Sequence, residues 1–313
     1  MRSLGTETGS APAAVREGEG KRALITGLGG FTGRYVADEL TAAGYRVYGT
    51  VMPGDAAGRD VFAADLCERG VVAALVEEVQ PDVVVHLAGI ASVVYGDAGQ
   101  IYQVNVAGTR NLLEALAGAR HKASCVLLAS SANIYGNADV PLIDEQVAPA
   151  PANDYAVSKL AMEYMARLWM DKLPIVLARP FNYTGRGQSE HFLLPKIVGH
   201  FRRGARRIEL GNLAIARDFS DVRSVALSYR RLLAAAPAGE AFNVCSGHTH
   251  SLGEVIEMMS EIAGYRIEVE VNPAFVRAND VLTLSGSNAK LVRTIGAVAQ
   301  QPLYDTLRWM YGA

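Results

Sequence analysis

Cysteine is scarce. The 313 residues carry three, Cys67, Cys125 and Cys245, and no two form a CxxC pair. That excludes a disulfide framework and a thiolate metal site. Surplus charge is also missing. Lys plus Arg number 30 against 32 Asp plus Glu, for a formal charge of −2, without the basic excess of a nucleic-acid binder. No apolar run reaches the roughly 18 residues that span a bilayer, so no membrane partner is expected. Residues 1–20 lack the continuous apolar stretch of a signal peptide. They read as a disordered tail, with order beginning at Lys21. His248 and His250 have no third ligand at metal spacing, so no metal site is expected. What remains is a chain that is 50% hydrophobic, read as a cytoplasmic globular enzyme with a well-filled core.

The pattern along the chain is strand, helix, strand, helix. Arg22 to Thr26, Tyr45 to Val51, Val61 to Ala64, Asp82 to Leu87, Ser124 to Ala129 and Ile175 to Ala178 read as strands. Phe31 to Ala43, Cys67 to Val79, Ile101 to Ala117 and Asn153 to Met170 read as helices. The strands are continuously apolar, not alternating, which is the signature of a parallel sheet covered on both faces. The expected fold is therefore α/β, a Rossmann-type doubly wound parallel sheet. Residues 21–179 form the dinucleotide-binding domain. Residues 180–313 form mainly a smaller mixed α/β substrate lobe, with some elements returning to the main sheet.

Between the first strand and first helix stands Thr26-Gly27-Leu28-Gly29-Gly30-Phe31-Thr32-Gly33. The spacing of Gly27, Gly30 and Gly33 lets a backbone turn tightly and approach a pyrophosphate. The helix start at Phe31 and Thr32 then offers amide donors and a positive dipole end. A ribose-binding Asp or Glu is expected about 20 residues on, at the end of the second strand. That strand instead ends Gly49-Thr50-Val51-Met52-Pro53. The missing acid favours NADP, with NAD the alternative, and Arg34 is the nearest candidate for a 2′-phosphate. Asp65 and Leu66 follow the third strand, where a carboxylate can accept from the adenine amino group. Leu87, Ala88 and Gly89 end the fourth, where small residues let the cofactor lie against the backbone.

Tyr155-Ala156-Val157-Ser158-Lys159 puts Tyr155 and Lys159 at i and i+4, on one face of a helix. A free Tyr, with a pKa near ~10, is a poor acid or base at neutral pH. A neighbouring ammonium favours the phenolate and brings it toward the working range. Ser131, in Ser130-Ser131-Ala132-Asn133, follows a strand end, where ligands of doubly wound sheets bind. Ser131, Tyr155 and Lys159 are thus the candidate catalytic residues.

On these residues the chain resembles the extended short-chain dehydrogenases/reductases, in their nucleotide-sugar epimerase/dehydratase/reductase group. The likeness spans Lys21 to Gly312. Its pattern is nearest the branch of GDP-4-keto-6-deoxy-mannose reductases and GDP-mannose 4,6-dehydratases. The resemblance implies that Ser131 polarises the substrate oxygen, Tyr155 is the acid/base and Lys159 tunes it and holds the nicotinamide ribose. It assigns Asn105 to the cofactor side. Arg179-Pro180-Phe181-Asn182-Tyr183-Thr184-Gly185-Arg186-Gly187-Gln188 resembles the family's RPFNxxGPGQ segment, with Arg186 where Pro is usual. Arg217 opens an RDFxDV-like segment. Asn133, Asn182, Arg217 and Arg277 are the implied substrate ligands. Arg179, Arg217 and Arg277 are the implied local charge for a nucleotide-diphosphate sugar. The implied reaction is oxidoreduction at carbon 4 of a nucleotide-linked deoxyhexose. A 4-keto-6-deoxyhexose reductase is the leading reading and a 4-epimerase with retained cofactor the alternative. The positions following Ser131 are Ala132 and Asn133, neither a general acid, which argues against a dehydratase. A non-catalytic nucleotide sensor is the remaining reading. The family pairs its long helices into a four-helix homodimer bundle, while Tyr164, Leu168 and Trp169 suit either that interface or an internal core.

Overall fold

A computed structural model describes residues 16–91, 97–275 and 283–313. The first half alternates β1 (Arg22–Thr26), α1 (Phe31–Ala42), β2 (Arg46–Val51), β3 (Val61–Ala63), α2 (Arg69–Val79), β4 (Val83–His86), α3 (Ala98–Tyr102), α4 (Thr109–Gly118), β5 (Cys125–Ala129), α5 (Asp154–Arg167) and β6 (Ile175–Pro180). The second half runs β7 (Asn182–Thr184), α6 (Leu193–Arg202), β8 (Arg207–Leu210), β9 (Ala216–Asp221), α7 (Val222–Ala235), β10 (Ala241–Val244), β11 (Thr249–Ser251), α8 (Leu252–Ala263), β12 (Glu268–Val271), β13 (Thr283–Leu284), α9 (Ala289–Ile295) and α10 (Leu303–Tyr311).

Seven strands form one sheet in the order β10-β6-β5-β4-β1-β2-β3, and every pairing is parallel. Side chains alternate between its faces. Leu24, Val84 and Val126 meet Val72 and Leu75 of α2, Leu112 of α4 and Met162 of α5. Ile25, Val85 and Leu127 meet Val36 and Leu40 of α1 and Val225 and Leu232 of α7. Both faces are therefore dry, which is why the strands read as unbroken apolar runs. The strand order reverses beside β1 and β4. In such sheets this switch point opens a crevice beyond the carboxyl ends.

Two differences from the sequence reading have local causes. Order begins before Lys21, because residues 16–20 are anchored. Glu17 pairs with Arg230 of α7 at 2.6 Å, and the Gly18 amide donates to Ala43 O at 3.0 Å. The single helix expected over residues 101–117 is three segments, with a π-helical stretch, Gln103–Gly108, between α3 and α4. Its wider turn carries Asn105 inward, to complete burial. One element of the second half, β10, returns to the main sheet and pairs with β6.

The rest of the second half is a separate layer. Here β8 pairs with β12, and β9 pairs with β7, β11 and β13. Its own core joins Leu194 and Phe201 of α6, Ile208 and Leu210 of β8, Val255 of α8 and Leu307 of α10. Among the described residues no helix is long and apolar enough to cross a membrane.

Candidate active site

A cleft of about 880 Å³ runs between the strand ends and the second layer. One end is made by backbone. Gly27 has φ +73°, and a Cβ there would lie 2.9 Å from the Ala88 backbone. A Cβ on Gly33 would lie 2.5 Å from the carbonyl oxygens of Gly27 and Leu28. The turn thus folds only without these side chains. Gly30 N-caps α1 in an extended conformation with no side-chain cap, and no acid stands in the first turn. The first-turn amides at Phe31, Thr32 and Gly33 therefore have no competing side-chain acceptor, which suits an anion. Thr50 Oγ1 accepts from the Gly27 amide at 3.1 Å, so the end of β2 braces the turn. This cradle fits the pyrophosphate of a dinucleotide.

The fourth strand's end completes that wall. Leu87 and Gly89 line the cleft. A Cβ on Gly89 would stand 2.9 Å from Asn105 Oδ1 and 3.3 Å from Lys159 Nζ, so the missing side chain keeps the lysine accessible. Asn105 itself lies behind the wall. Its Oδ1 accepts from the Ile90 amide at 2.8 Å, and its Nδ2 donates to Ile90 O at 3.1 Å and Ser158 Oγ at 2.9 Å. It ties the exit of β4 to α5. Below it His86, wholly buried, lies 2.7 Å through Nδ1 from Thr26 Oγ1 and 2.8 Å through Nε2 from Thr109 Oγ1. Thr109 donates its own proton to Asn105 O, so the ring carries its proton on Nε2. Burial, reinforced by the nearby Lys159, pushes His86 down to about 3. This neutral buried histidine was invisible in the motif reading, because its partners are 60 and 23 residues away.

The middle of the cleft holds Ser131, Tyr155 and Lys159 together. Asn153 caps α5, accepting from the Ala156 amide at 2.9 Å, and starts the helix so that Tyr155 lies in its first turn. Burial pushes the Tyr155 phenol up to about 12, while its hydrogen bond with Ser131 pulls the other way. Lys159 Nζ donates to Ala129 O at 2.9 Å. Burial pushes it down to about 8, against the pull of Glu163. Within the chain alone, then, burial governs both groups and keeps the Tyr155 phenol protonated. Ser130, on the same wall, has its Oγ buried without a hydrogen-bond partner among the described residues.

The far end is lined by Asn133, Asn182 and Arg217. Asp218, buried beside Arg217, accepts from Ser246 and Gly247 amides at 2.9 and 2.8 Å and so pins the turn after β10 against β9. Gln188, Lys196, Glu209 and Phe275 also line this end. Motif spacing singled out none of the last three, since α6, β8 and the segment after β12 meet only in the folded chain.

The other expected ligands have the following places within the chain. Arg34 Nη2 donates to Gly187 O at 3.3 Å at the surface. The Asp65 carboxylate accepts from the Cys67 amide at 2.8 Å at the start of α2. The Leu66 side chain is in the core, and the Ala88 amide donates to Thr26 Oγ1 at 3.3 Å. Arg277 lies outside the described residues. Arg179 is a correction: it does not face a diphosphate. It is buried, with Nε 2.9 Å and Nη2 2.6 Å from the two oxygens of Glu163, and Nη1 2.8 Å from the Tyr135 hydroxyl. Its positive charge is spent inside the protein. Arg186, at the position of the usual proline, donates to Trp309 O at 2.6 Å and holds its loop against α10.

The profile of the GDP-mannose 4,6 dehydratase family matches residues 24–310. The chain is 35% identical to the GDP-6-deoxy-D-mannose reductase of Pseudomonas aeruginosa, over 92% of this chain and 95% of that one. A crystal structure from Burkholderia cenocepacia J2315, provisionally named an epimerase, is 56% identical with a TM-score of 0.90, covering 94% of this chain and 98% of that one. RMD from P. aeruginosa complexed with NADPH is 32% identical with a TM-score of 0.82, covering 93% and 98%.

Proposed function

The chain belongs to the GDP-mannose 4,6-dehydratase family, and from that premise we propose that it is an NADPH-dependent reductase of a nucleotide-linked 4-keto-6-deoxyhexose. The observation that carries the reading is the shared wall of Ser131, Tyr155 and Lys159 in one cleft with the glycine turn. When bound at that turn, the dinucleotide supplies the hydride. Ser131 holds the 4-keto oxygen by hydrogen bonding. Tyr155 gives that oxygen its proton as the carbon is reduced, and Lys159 keeps the phenol's proton mobile from one turn along α5. Asn182 and Arg217 hold the diphosphate end. Support for the reduced phosphorylated cofactor is twofold: no acid stands at the end of β2, where a ribose-binding one is expected, and the related RMD was solved with NADPH.

Ala132 and Asn133 follow Ser131 in a short 3₁₀ turn and offer no acid for removing water, which sets the family's dehydratase chemistry aside. The 56% identical neighbour provisionally named an epimerase favours a second reading, a 4-epimerase that keeps its cofactor. Incubation with a 4-keto-6-deoxyhexose nucleotide and NADPH separates them. The reductase consumes one NADPH per sugar. Interconversion of 4-hydroxy sugars with no net NADPH loss would sink that reading in favour of the epimerase.

The assembly proposed is a homodimer through the long helices. Tyr164 and Leu168 stand exposed on and just after α5, whereas Trp169 packs on the core. An apolar stripe of this kind is covered in a two-fold helix pairing. Three unpaired cysteines suit a reducing cytoplasm.

A further inference from the structure

The segment from Tyr183 to Gln188 links the cleft wall to α1 and α10. Tyr183, Thr184 and Gln188 line the cleft together with Phe31 and Thr32 of the glycine turn. The Tyr183 hydroxyl lies 2.8 Å from Thr32 Oγ1, and its ring stacks on Phe31 with centroids 6.0 Å apart. These contacts join the two layers at the pyrophosphate cradle. The segment also closes on itself. Thr184 Oγ1 donates to Gln188 Oε1 at 2.7 Å, and Gln188 Nε2 donates to Tyr183 O at 3.2 Å. Its anchors lie behind it. The Tyr35 hydroxyl donates to Arg186 O at 2.7 Å, and Arg34 Nη2 donates to Gly187 O at 3.3 Å. Arg186 Nε donates to Trp309 O at 2.6 Å, and its guanidinium lies 5.0 Å from the Trp309 ring centroid. Trp309 is in turn packed by Arg223 at 4.0 Å and by the Tyr35 ring at 6.2 Å. A Cβ on Gly185 would lie 2.5 Å from Val222 Cγ1 and 3.3 Å from the Trp309 ring, so the chain passes here only as glycine. Tyr35, Arg186 and Trp309 do not line the cleft themselves.

We propose that Tyr183–Gln188 is a strap beside the dinucleotide site, that α10 is its keeper, and that its opening gates exchange of the cofactor. The proposal rests on the dinucleotide reading of the cradle above. Tyr183 touches Thr32 at the cradle and is near enough to Tyr155 to disfavour its phenolate. A dinucleotide reaching from the cradle to Tyr155 therefore has the strap for a neighbour. The two layers behind it are held by apolar cores, whereas the strap is held by single hydrogen bonds and ring contacts. Such a segment opens without unfolding either layer. Motions of this kind set the turnover of many enzymes through product release. A reductase must release its oxidised cofactor in every cycle, so Tyr35 and Arg186 act on that step as positioning residues, through the strap and without touching the ligand.

Stopped-flow fluorescence of NADPH and NADH binding to the full chain, with a chase for dissociation, tests this. Tyr35→Phe removes the hydroxyl that holds Arg186 O and changes no atom that lines the cleft. Association and dissociation rates should both rise, by the same factor of about two to ten, the range one hydrogen bond supplies. Kd should stay unchanged, because a ligand with equal affinity for the open and closed strap shifts neither. Arg186→Gln, which frees the strap from α10, should move both rates in the same direction. A faster dissociation alone, with a weaker Kd, would mean that Tyr35 braces a static wall, and it overturns the strap. Unchanged rates in both variants overturn it as well. The parent reading is separable. If neither dinucleotide binds the unaltered chain, the cofactor reading falls and takes the strap with it. Binding whose rates ignore both substitutions removes the strap alone.

Discussion

Two buried cations flank the inner face of α5, and their surroundings differ in one respect. Behind the cleft, Arg179 meets a carboxylate with both arms of its fork, at 2.9 and 2.6 Å from Glu163. At the cleft, Lys159 has a backbone carbonyl at 2.9 Å and feels Glu163 only from a distance. The first charge is fully compensated and locked. The second is undercompensated, and burial brings its proton within reach of neutral pH, at about 8. Compensation is the mark of structure; its deliberate incompleteness is the mark of chemistry.

The sharpest way to break this contrast is at the working side. Tyr155→Phe should lower kcat by about 10²- to 10⁴-fold, with the melting temperature nearly unchanged. A fall in stability with activity retained would put Tyr155 on the structural side. The converse change is Glu163→Ala. It leaves Arg179 buried and unpaired and should cost about 3–5 kcal/mol in denaturant unfolding. Loss of activity without loss of stability would make that pair catalytic instead.

Smaller effects sharpen the boundary between backbone-made and side-chain-made parts of the cleft. Gly33→Ala forces a Cβ to within 2.5 Å of two carbonyl oxygens. It should cost about 1–3 kcal/mol of stability and weaken dinucleotide binding measured by fluorescence quenching. His86 gives a signal confined to acid pH. Its folded pKa is depressed from 6.5 to about 3, so its contribution is complete above 6.5 and is lost as pH falls through that window. There the unfolded chain takes up a proton that the native ring refuses. The slope it adds is at most about 1.4 kcal/mol per pH unit. In His86→Asn the acid limb of stability against pH should be shallower by that amount; an unchanged limb would show that other groups carry it.

How much of this was legible beforehand follows the same division. The parallel sheet was readable because unbroken runs such as Val83–Val85 leave no wet face. The glycine turn and the Tyr155–Lys159 pair were readable because each is local, fixed by one turn or one helical repeat. Arg179 was misread as a diphosphate ligand because its motif specifies an arginine at a strand end but not which way the side chain points. Its partner Glu163 lies 16 residues back on another element. The π turn at Asn105 was missed because apolar spacing cannot register one extra residue in a helical turn. Lys196, Glu209 and Phe275 carry no motif at all, and tertiary packing alone brings them together.

The central claim is hydride transfer to carbon 4 with protonation by Tyr155. NADPH carrying deuterium at the transferable position tests it directly. Mass spectrometry of the sugar product should find one deuterium at carbon 4 per NADPH consumed, and none in Tyr155→Phe over the same time. Product without deuterium at carbon 4, or equally rapid labelling by the phenylalanine variant, would contradict the account.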